Sequence, residues 1–401
     1  MSIYKDLWAW TFALAIAGYP LIGVASSLTG DETLSIAFRA AVLCLSLLCF
    51  FLVDQRKGFG FGSIWLLVLA SFYLLKLWLD VEYEVDGSAD AMQFALVTGV
   101  VPAILLAAST PRWLEANTSL ALFVVGALSV AAILWLDYNG SEMLLLDNSG
   151  RVSFERLNPI SVGHAAVTTL IACYALLQHV DRKSARMVIY TAAGGAFFTL
   201  YLSGARGPLV ALAACCALFY ILRPRFSVML GCFVVAGGCV LFLALTDITP
   251  LLEKFNLIDL GEDRSSEGRL SAISMSWNLF TEHPWLGYGT QLPFVGYPHN
   301  LFMEVLQAMG IIGMAIFAVV LFRIYQATSF MAHMRLPLLP LLTTQFLVGA
   351  QFSGSIYGNS SLWIVTCVMI FRSNAIKSVQ QRRNYVPSPN GFLVPRSEIA
   401  R

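Results

Sequence analysis

The chain has 401 residues, with 25 Lys and Arg against 24 Asp and Glu, a formal net charge of +1. Only 12% of residues are charged and 58% are hydrophobic, whereas a soluble domain carries about 25% charged residues. A near-neutral, apolar chain excludes a nucleic-acid binder, which needs a basic face, and a large soluble enzyme; it indicates an all-α polytopic membrane protein.

Apolar runs near the length needed to cross about 30 Å of hydrocarbon recur along the chain. About twelve spans are expected, at approximately 8–28, 33–53, 62–80, 91–109, 117–136, 159–179, 187–203, 207–222, 226–246, 299–322, 336–352 and 356–372. The first run has no small-residue cleavage pattern after it and reads as a retained span. Cys44, Cys49, Cys173, Cys215, Cys216, Cys232, Cys239 and Cys367 all lie within apolar runs, so they read as packing residues, and no Cys/His spacing suits zinc.

Loop charges alternate. Lys5, Arg56-Lys57, Arg112, Arg182-Lys183, Arg186, Arg223, Arg225, Arg323, Arg335 and the tail from Arg372 to Arg383 form one set. Asp31-Glu32, the stretch 82–90, and the long loops 137–158 and 247–298 form the other. The positive-inside rule then puts both termini in the cytoplasm and the long loops on the opposite side, which for a bacterial inner-membrane protein is the periplasm. Residues 1–380 read as a transmembrane helical domain. Residues 381–401, with Pro387, Pro389 and Pro395, read as a disordered cytoplasmic tail.

Several segments on the periplasmic side carry chemistry. Asp80, Glu82, Glu84 and Asp86 are either a divalent-metal loop or, as the simpler account, a charge-repelled exterior loop. Arg151, Arg156, Arg206, Arg264 and Arg269 break the charge rule, and a planar, permanently charged guanidinium suits phosphate. Arg156 stands at the mouth of the span that opens at Pro159. Ser203-Gly204-Ala205-Arg206-Gly207-Pro208 joins two spans with almost no loop; Pro208 is expected as the first helical residue with Gly207 near the cap. Such a helix start offers free N–H groups to an anion, although a turn arginine can also simply snorkel to lipid phosphate. Leu270, Ile273, Trp277 and Phe280 repeat at steps of three and four, predicting an amphipathic helix on the bilayer surface or against the bundle. Glu282-His283-Pro284-Trp285-Leu286-Gly287-Tyr288-Gly289 ends it. His299 follows Tyr297-Pro298 and opens an apolar helix, whose positive dipole end should lower its pKa below about 6.5 and leave it neutral, available as a base. Asn300 could orient it or bind substrate.

His299-Asn300, nine residues, then Gly310-Ile311-Ile312-Gly313 resembles the signature of bacterial O-antigen ligases. The Arg206-Gly207 segment and the Pro-x-Leu-Gly-x-Gly run at 284–289 are similar to segments of the same family. The resemblance covers about residues 150–350. It implies a large lipid-linked (GT-C-like) glycosyltransferase bundle with a periplasmic loop over the site. It further implies inverting transfer of a glycan from undecaprenyl diphosphate to lipid A-core, without metal or other cofactor. Arg206 and Arg269 would hold the diphosphate and His299 would serve the acceptor hydroxyl, with Arg156, Arg264, Asn300, Gly207 and Tyr297 as substrate contacts.

O-antigen polymerase is the nearest rival. It often shows Arg, ten residues, Gly, but the positions eleven after Arg151, Arg156, Arg264 and Arg269 are Val162, Val167, Met275 and Phe280. A ligase acting on protein would share the site. A lipid-linked sugar transporter would place charge at mid-membrane. Apart from Arg39 and Lys76, expected near span ends, the spans read as nearly free of charge, which favours an enzyme.

Overall fold

A computed structural model describes residues 2–31, 33–52, 61–111, 115–139, 144–146, 152–154, 157–222, 264–387 and 393–395. The protein is an all-α polytopic membrane protein. In chain order its helices are α1 (Ser2–Thr29), α2 (Thr33–Leu52), α3 (Phe61–Glu82), α4 (Ser88–Phe94), α5 (Val101–Ala108), α6 (Glu115–Tyr138), α7 (Pro159–Leu177), α8 (Lys183–Ser203), α9 (Arg206–Leu222), α10 (Arg264–Glu282), α11 (Leu301–His333), α12 (Leu338–Gly349) and α13 (Ser360–Asn384). A π-helical turn, Ala95–Val100, fuses α4 to α5. Among the described residues, nine helices, with α4 to α5 counted as one, are long and apolar enough to cross a bilayer, and α9 and α12 are shorter apolar helices.

The expected span 226–246 lies outside the described residues; each of the others has its helix. Three expectations change. The span drawn at 299–322 continues to His333 and is broken at Gly310. The span drawn at 336–352 is the 12-residue α12, about 18 Å long at 1.5 Å per residue, short of a bilayer. It packs on α9, α13 and α7, so protein surrounds it. The tail expected to be disordered is ordered in part: α13 continues to Asn384 and Tyr385–Pro387 pairs with Leu393–Pro395 in an antiparallel hairpin, while residues 388–392 and 396–401 lie outside the described residues. Such a hairpin is all edge, which is where proline is tolerated in a sheet. A second short hairpin, Leu144–Leu146 with Val152–Phe154, stands between α6 and α7.

In lipid, helices associate through close packing and hydrogen bonds, because hydrocarbon offers no hydrophobic drive between them. Accordingly α1 packs on α2 and α6, α7 on α6 and α8, and α13 on α5. Gly126 shows how close the approach is: a Cβ there would sit 2.5 Å from Thr169 Oγ1 across the α6–α7 contact. Trp8 is buried, donates its indole N–H to the Leu106 carbonyl at 3.0 Å and stacks on Phe12. Ile36, Phe51, Trp135 and Phe322 point outward, as lipid-facing side chains do.

Polar ties define two ends. At one, Tyr4 donates to the Ser109 carbonyl, Asn117 to Asp6, and the Leu338 amide to Glu115. At the other, Asp80 accepts from both the amide and the hydroxyl of Thr290, Lys76 donates to the Gly287 carbonyl, and the Leu301 amide donates to Ala350. The second end carries His299.

Candidate functional site

The site is built around a broken helix. At Gly310 the backbone of α11 leaves helical geometry, with φ 64° and ψ −160°, a combination essentially restricted to glycine. The break frees backbone groups that the preceding loop takes up. Ile311 N–H donates to the Pro284 carbonyl at 2.8 Å, Ile312 N–H to Trp285, and Tyr288 N–H to the Gln307 carbonyl at 2.7 Å. Gly287, at φ 73°, lies against the backbone of Gln307 to Met309, where a Cβ would come within 2.5 Å of three main-chain atoms. The two glycines therefore let one stretch of backbone lie directly on another. Irregular backbone inside a membrane protein survives only when buried and hydrogen-bonded in this way.

Upstream of the break, α11 carries a polar stripe at steps of four and three. Asn300 caps the helix: its Oδ1 accepts from the Met303 amide at 3.1 Å, and its Nδ2 donates to the Gln351 carbonyl at 3.4 Å. Glu304 is fully buried and accepts from Tyr73 OH at 3.2 Å and from the Ile356 amide at 2.8–2.9 Å. Gln307, also fully buried, accepts from Ser276 Oγ at 2.7 Å and donates to the Gly289 carbonyl at 3.0 Å. One helical turn after another thus clamps α3, α10, the 284–290 loop and the segment between α12 and α13. Glu304 corrects the reading of the spans as nearly free of charge: it lies inside one, and is satisfied by partners far away in sequence. The spacing Asn300, Glu304, Gln307 was the available signal, since polar residues at i, i+4 and i+7 share one helix face.

His299 precedes the cap and adopts φ 57°, uncommon for a residue with a side chain. It is half-buried, and its ring lies 4.5 Å from the Tyr297 ring, which in turn meets Tyr357 edge-on at 6.2 Å. Burial first, and the nearby Arg269 guanidinium second, hold the imidazole below its ordinary value. The expected direction stands, but the cause differs: Asn300, not His299, occupies the cap, and removal from solvent leads. Since a positive neighbour disfavours imidazolium, removing it must raise the pKa. His299 should therefore be neutral at pH 7 and titrate below about 6.5, and Arg269→Ala should move its titration upward. Histidine NMR across a pH series checks this; an unmoved titration in Arg269→Ala would show that the charge is not felt.

Arg206 stands at the same end. Gly204, at φ 55°, closes α8, and Ser203 Oγ donates back to Leu200 at 2.7 Å. Helix α9 begins at Arg206, two residues before the expected Pro208. Pro208 still falls in the first turn, where its missing N–H costs nothing. The turn is wedged tightly: a Cβ on Gly163 of α7 would meet Pro208, and one on Gly207 would meet Phe352 at 3.0 Å. Phe352 follows Ala350 and Gln351, the residues that hold Leu301 and Asn300. The Arg206 turn and the His299 cap are thus braced on one short segment.

Compared with known families, residues 191–318 match the model of a family described as O-Antigen ligase. The chain carries an O-antigen ligase domain. No curated protein matches the chain. The domain places the chemistry in the O-antigen ligase and polymerase superfamily of polysaccharide biosynthesis. The matched stretch holds Arg206, Arg269, His299, Glu304 and Gly310.

Within the ligase domain, the predicted amphipathic helix is α10. Ala272 and Ser276 face the protein, while Leu270 and Trp277 of the apolar stripe are exposed. With exposed Trp285, Leu286 and Phe294, the stripe forms an apolar rim suited to the bilayer surface. Arg269 is partly buried on this helix. Arg264 begins it, but its side chain, like all of Arg151 and Arg156, lies outside the described residues. Of the acidic loop, Asp80 is spent on Thr290, and among the described residues no three His, Cys, Asp or Glu assemble as metal ligands.

Proposed function

We propose that the protein is an inverting, metal-independent glycosyltransferase that ligates O-antigen polysaccharide from undecaprenyl diphosphate onto lipid A-core. The observation that carries this reading is the bracing of the Arg206 turn and the His299 cap on one segment, with Arg269 close enough to bias the His299 imidazole. His299, neutral, takes the proton of the acceptor hydroxyl. The acceptor oxygen attacks the anomeric carbon of the glycan from the face opposite the phosphate, and the bond between that carbon and the phosphate oxygen breaks. Arg206 and Arg269 stabilise the negative charge that develops on the departing diphosphate, ordinarily the largest electrostatic contribution. Tyr297 and Gly207 shape the site, Asn300 anchors His299, and Arg156 and Arg264 are further phosphate contacts.

The alternating loop charges support an inner-membrane orientation with the site facing the periplasm and both termini cytoplasmic. On this reading residues 1–380 form a GT-C-like transferase domain and 381–401 a cytoplasmic tail.

Purified protein in nanodiscs, given lipid-linked glycan, lipid A-core and excess EDTA, tests the proposal. Ligated lipid A-core together with free undecaprenyl diphosphate is the expected product pair. Longer glycan chains still on undecaprenyl diphosphate would make it a polymerase. Transfer to a pilin-type acceptor and not to lipid A-core would make it a protein ligase. Loss of transfer in EDTA that Mg²⁺ restores would overturn the arginine-based mechanism.

A further inference from the structure

Glu304 lies one helical turn below the Asn300 cap, on the same face of α11, and its carboxyl is fully buried. Burying a carboxyl costs free energy that an apolar side chain of similar size would not. What it secures here is position. Both of its oxygens accept from the Ile356 amide, at 2.9 and 2.8 Å, and Oε1 also accepts from Tyr73 OH at 3.2 Å.

Ile356 belongs to the irregular turn between α12 and α13, which is stiff in itself. The Gly358 amide donates to Ser355 Oγ at 2.9 Å, Asn359 Nδ2 to the Ser355 carbonyl at 2.7 Å, and the Trp363 indole to the Ile356 carbonyl at 2.7 Å. Holding the Ile356 amide therefore holds Tyr357, the next residue. The Tyr357 ring meets both Phe94 and Tyr297 edge-on, each at 6.2 Å, and Tyr297 packs on His299 at 4.5 Å. Tyr297 also lies near Glu304 itself: burial first, and nearness to the Glu304 carboxyl second, push its phenol above the ordinary value. The bonds from Leu301 to Ala350 and from Asn300 to Gln351 fix the backbone beside His299 but do not set the direction of its ring. The Tyr297 ring, lying against the imidazole, limits its rotation.

We infer that Glu304 is a positioning residue for the transfer reaction, aiming the His299 imidazole at the acceptor through the Ile356 amide, Tyr357 and Tyr297. The inference rests on the function proposed above and adds the group that orients the base. Glu304 touches no substrate and takes no part in proton transfer.

Two substitutions separate this role from a chemical or a merely structural one. Glu304→Gln keeps the grip, since its carbonyl oxygen accepts from the Ile356 amide and its NH₂ group donates to the Tyr73 oxygen. Glu304→Met fills a similar volume and makes neither bond. Transfer kinetics with varied donor are read beside the NMR resonances of the His299 ring, assigned by their loss in His299→Asn. In Glu304→Met kcat should fall about 10²-fold, the cost of misplacing a reacting group by about 1 Å, while donor KM stays at the wild-type value. The His299 ring protons should shift, because the Tyr297 ring that shields them has moved. Glu304→Gln should restore both. If Glu304→Met keeps wild-type kcat, or loses it with the His299 resonances unmoved, the proposal is overturned. Glu304→Gln as slow as Glu304→Met, with His299 in place, would put the carboxyl in the chemistry and also overturn it. Should Glu304→Met not fold, Tyr357→Leu breaks the same chain one link on and must give the same loss and the same shift; wild-type values there count against the proposal. The resonances report positioning even in a protein that transfers nothing, so a wild type without transfer sinks the proposed function and leaves this test standing.

Discussion

Replacing His299 with Ala should cut transfer by about 10²–10⁴-fold, the range for loss of a general base, while the protein still folds and reaches the membrane. The ring is half-buried and packs on Tyr297, so its removal exposes little of the core. The cap itself is untouched, because Asn300 provides it. Position 299 is left-handed, and Asn enters that region more readily than most side chains, so His299→Asn isolates chemistry from backbone strain. Both variants should be equally slow. If Asn retains near-normal turnover, His299 is a shaping residue and the base lies elsewhere, with exposed His283 the next candidate.

Gly310→Ala should produce the largest structural effect. A Cβ at this position would lie 2.5 Å from the Trp285 carbonyl carbon and oxygen and 2.6 Å from the Pro284 oxygen, all backbone atoms without freedom to yield. The strain of φ 64°, ψ −160° on a non-glycine residue adds about 1–3 kcal/mol before that clash. The 284–290 loop must then lift from α11, surrendering the bonds from Tyr288, Ile311 and Ile312. Gly310→Ala should lower the melting temperature in detergent strongly and abolish activity, as should Gly287→Ala. Gly268→Ala is the contrast: it sits in α10 with open space around it, and alanine in a helix should hold or raise stability by up to about 1 kcal/mol. Melting of Gly310→Ala at the wild-type temperature would mean the broken helix is not the native arrangement.

The transmembrane helices were legible because a bilayer demands long apolar runs, and hydropathy reads such runs directly. The signature residues were also legible as a group. Their physical meaning was not. A Gly-x-x-Gly pair in an apolar run reads as helix packing, and nothing local announces that Gly310 ends one helical segment and starts another. Glu304 was hidden because its partners, Tyr73 and Ile356, are distant in sequence, and a lone acid in a span shows no pairing until folding brings them together. Leu270 and Trp277 were correctly placed on a helix, but a soluble protein would bury that stripe, whereas beside a membrane it faces outward and small Ala272 and Ser276 do the packing.

Donor binding separates the roles in the site most directly. Undecaprenyl diphosphate-linked glycan is titrated against Arg206→Ala, Arg206→Lys and His299→Ala proteins in nanodiscs. Arg206→Ala should weaken binding by about 1.5–3 kcal/mol, the worth of a charge-assisted contact. Arg206→Lys should rescue it poorly, because an ammonium cannot offer the planar fork. His299→Ala should bind donor as the wild type does. Donor affinity lost in His299→Ala and kept in Arg206→Ala would contradict the account.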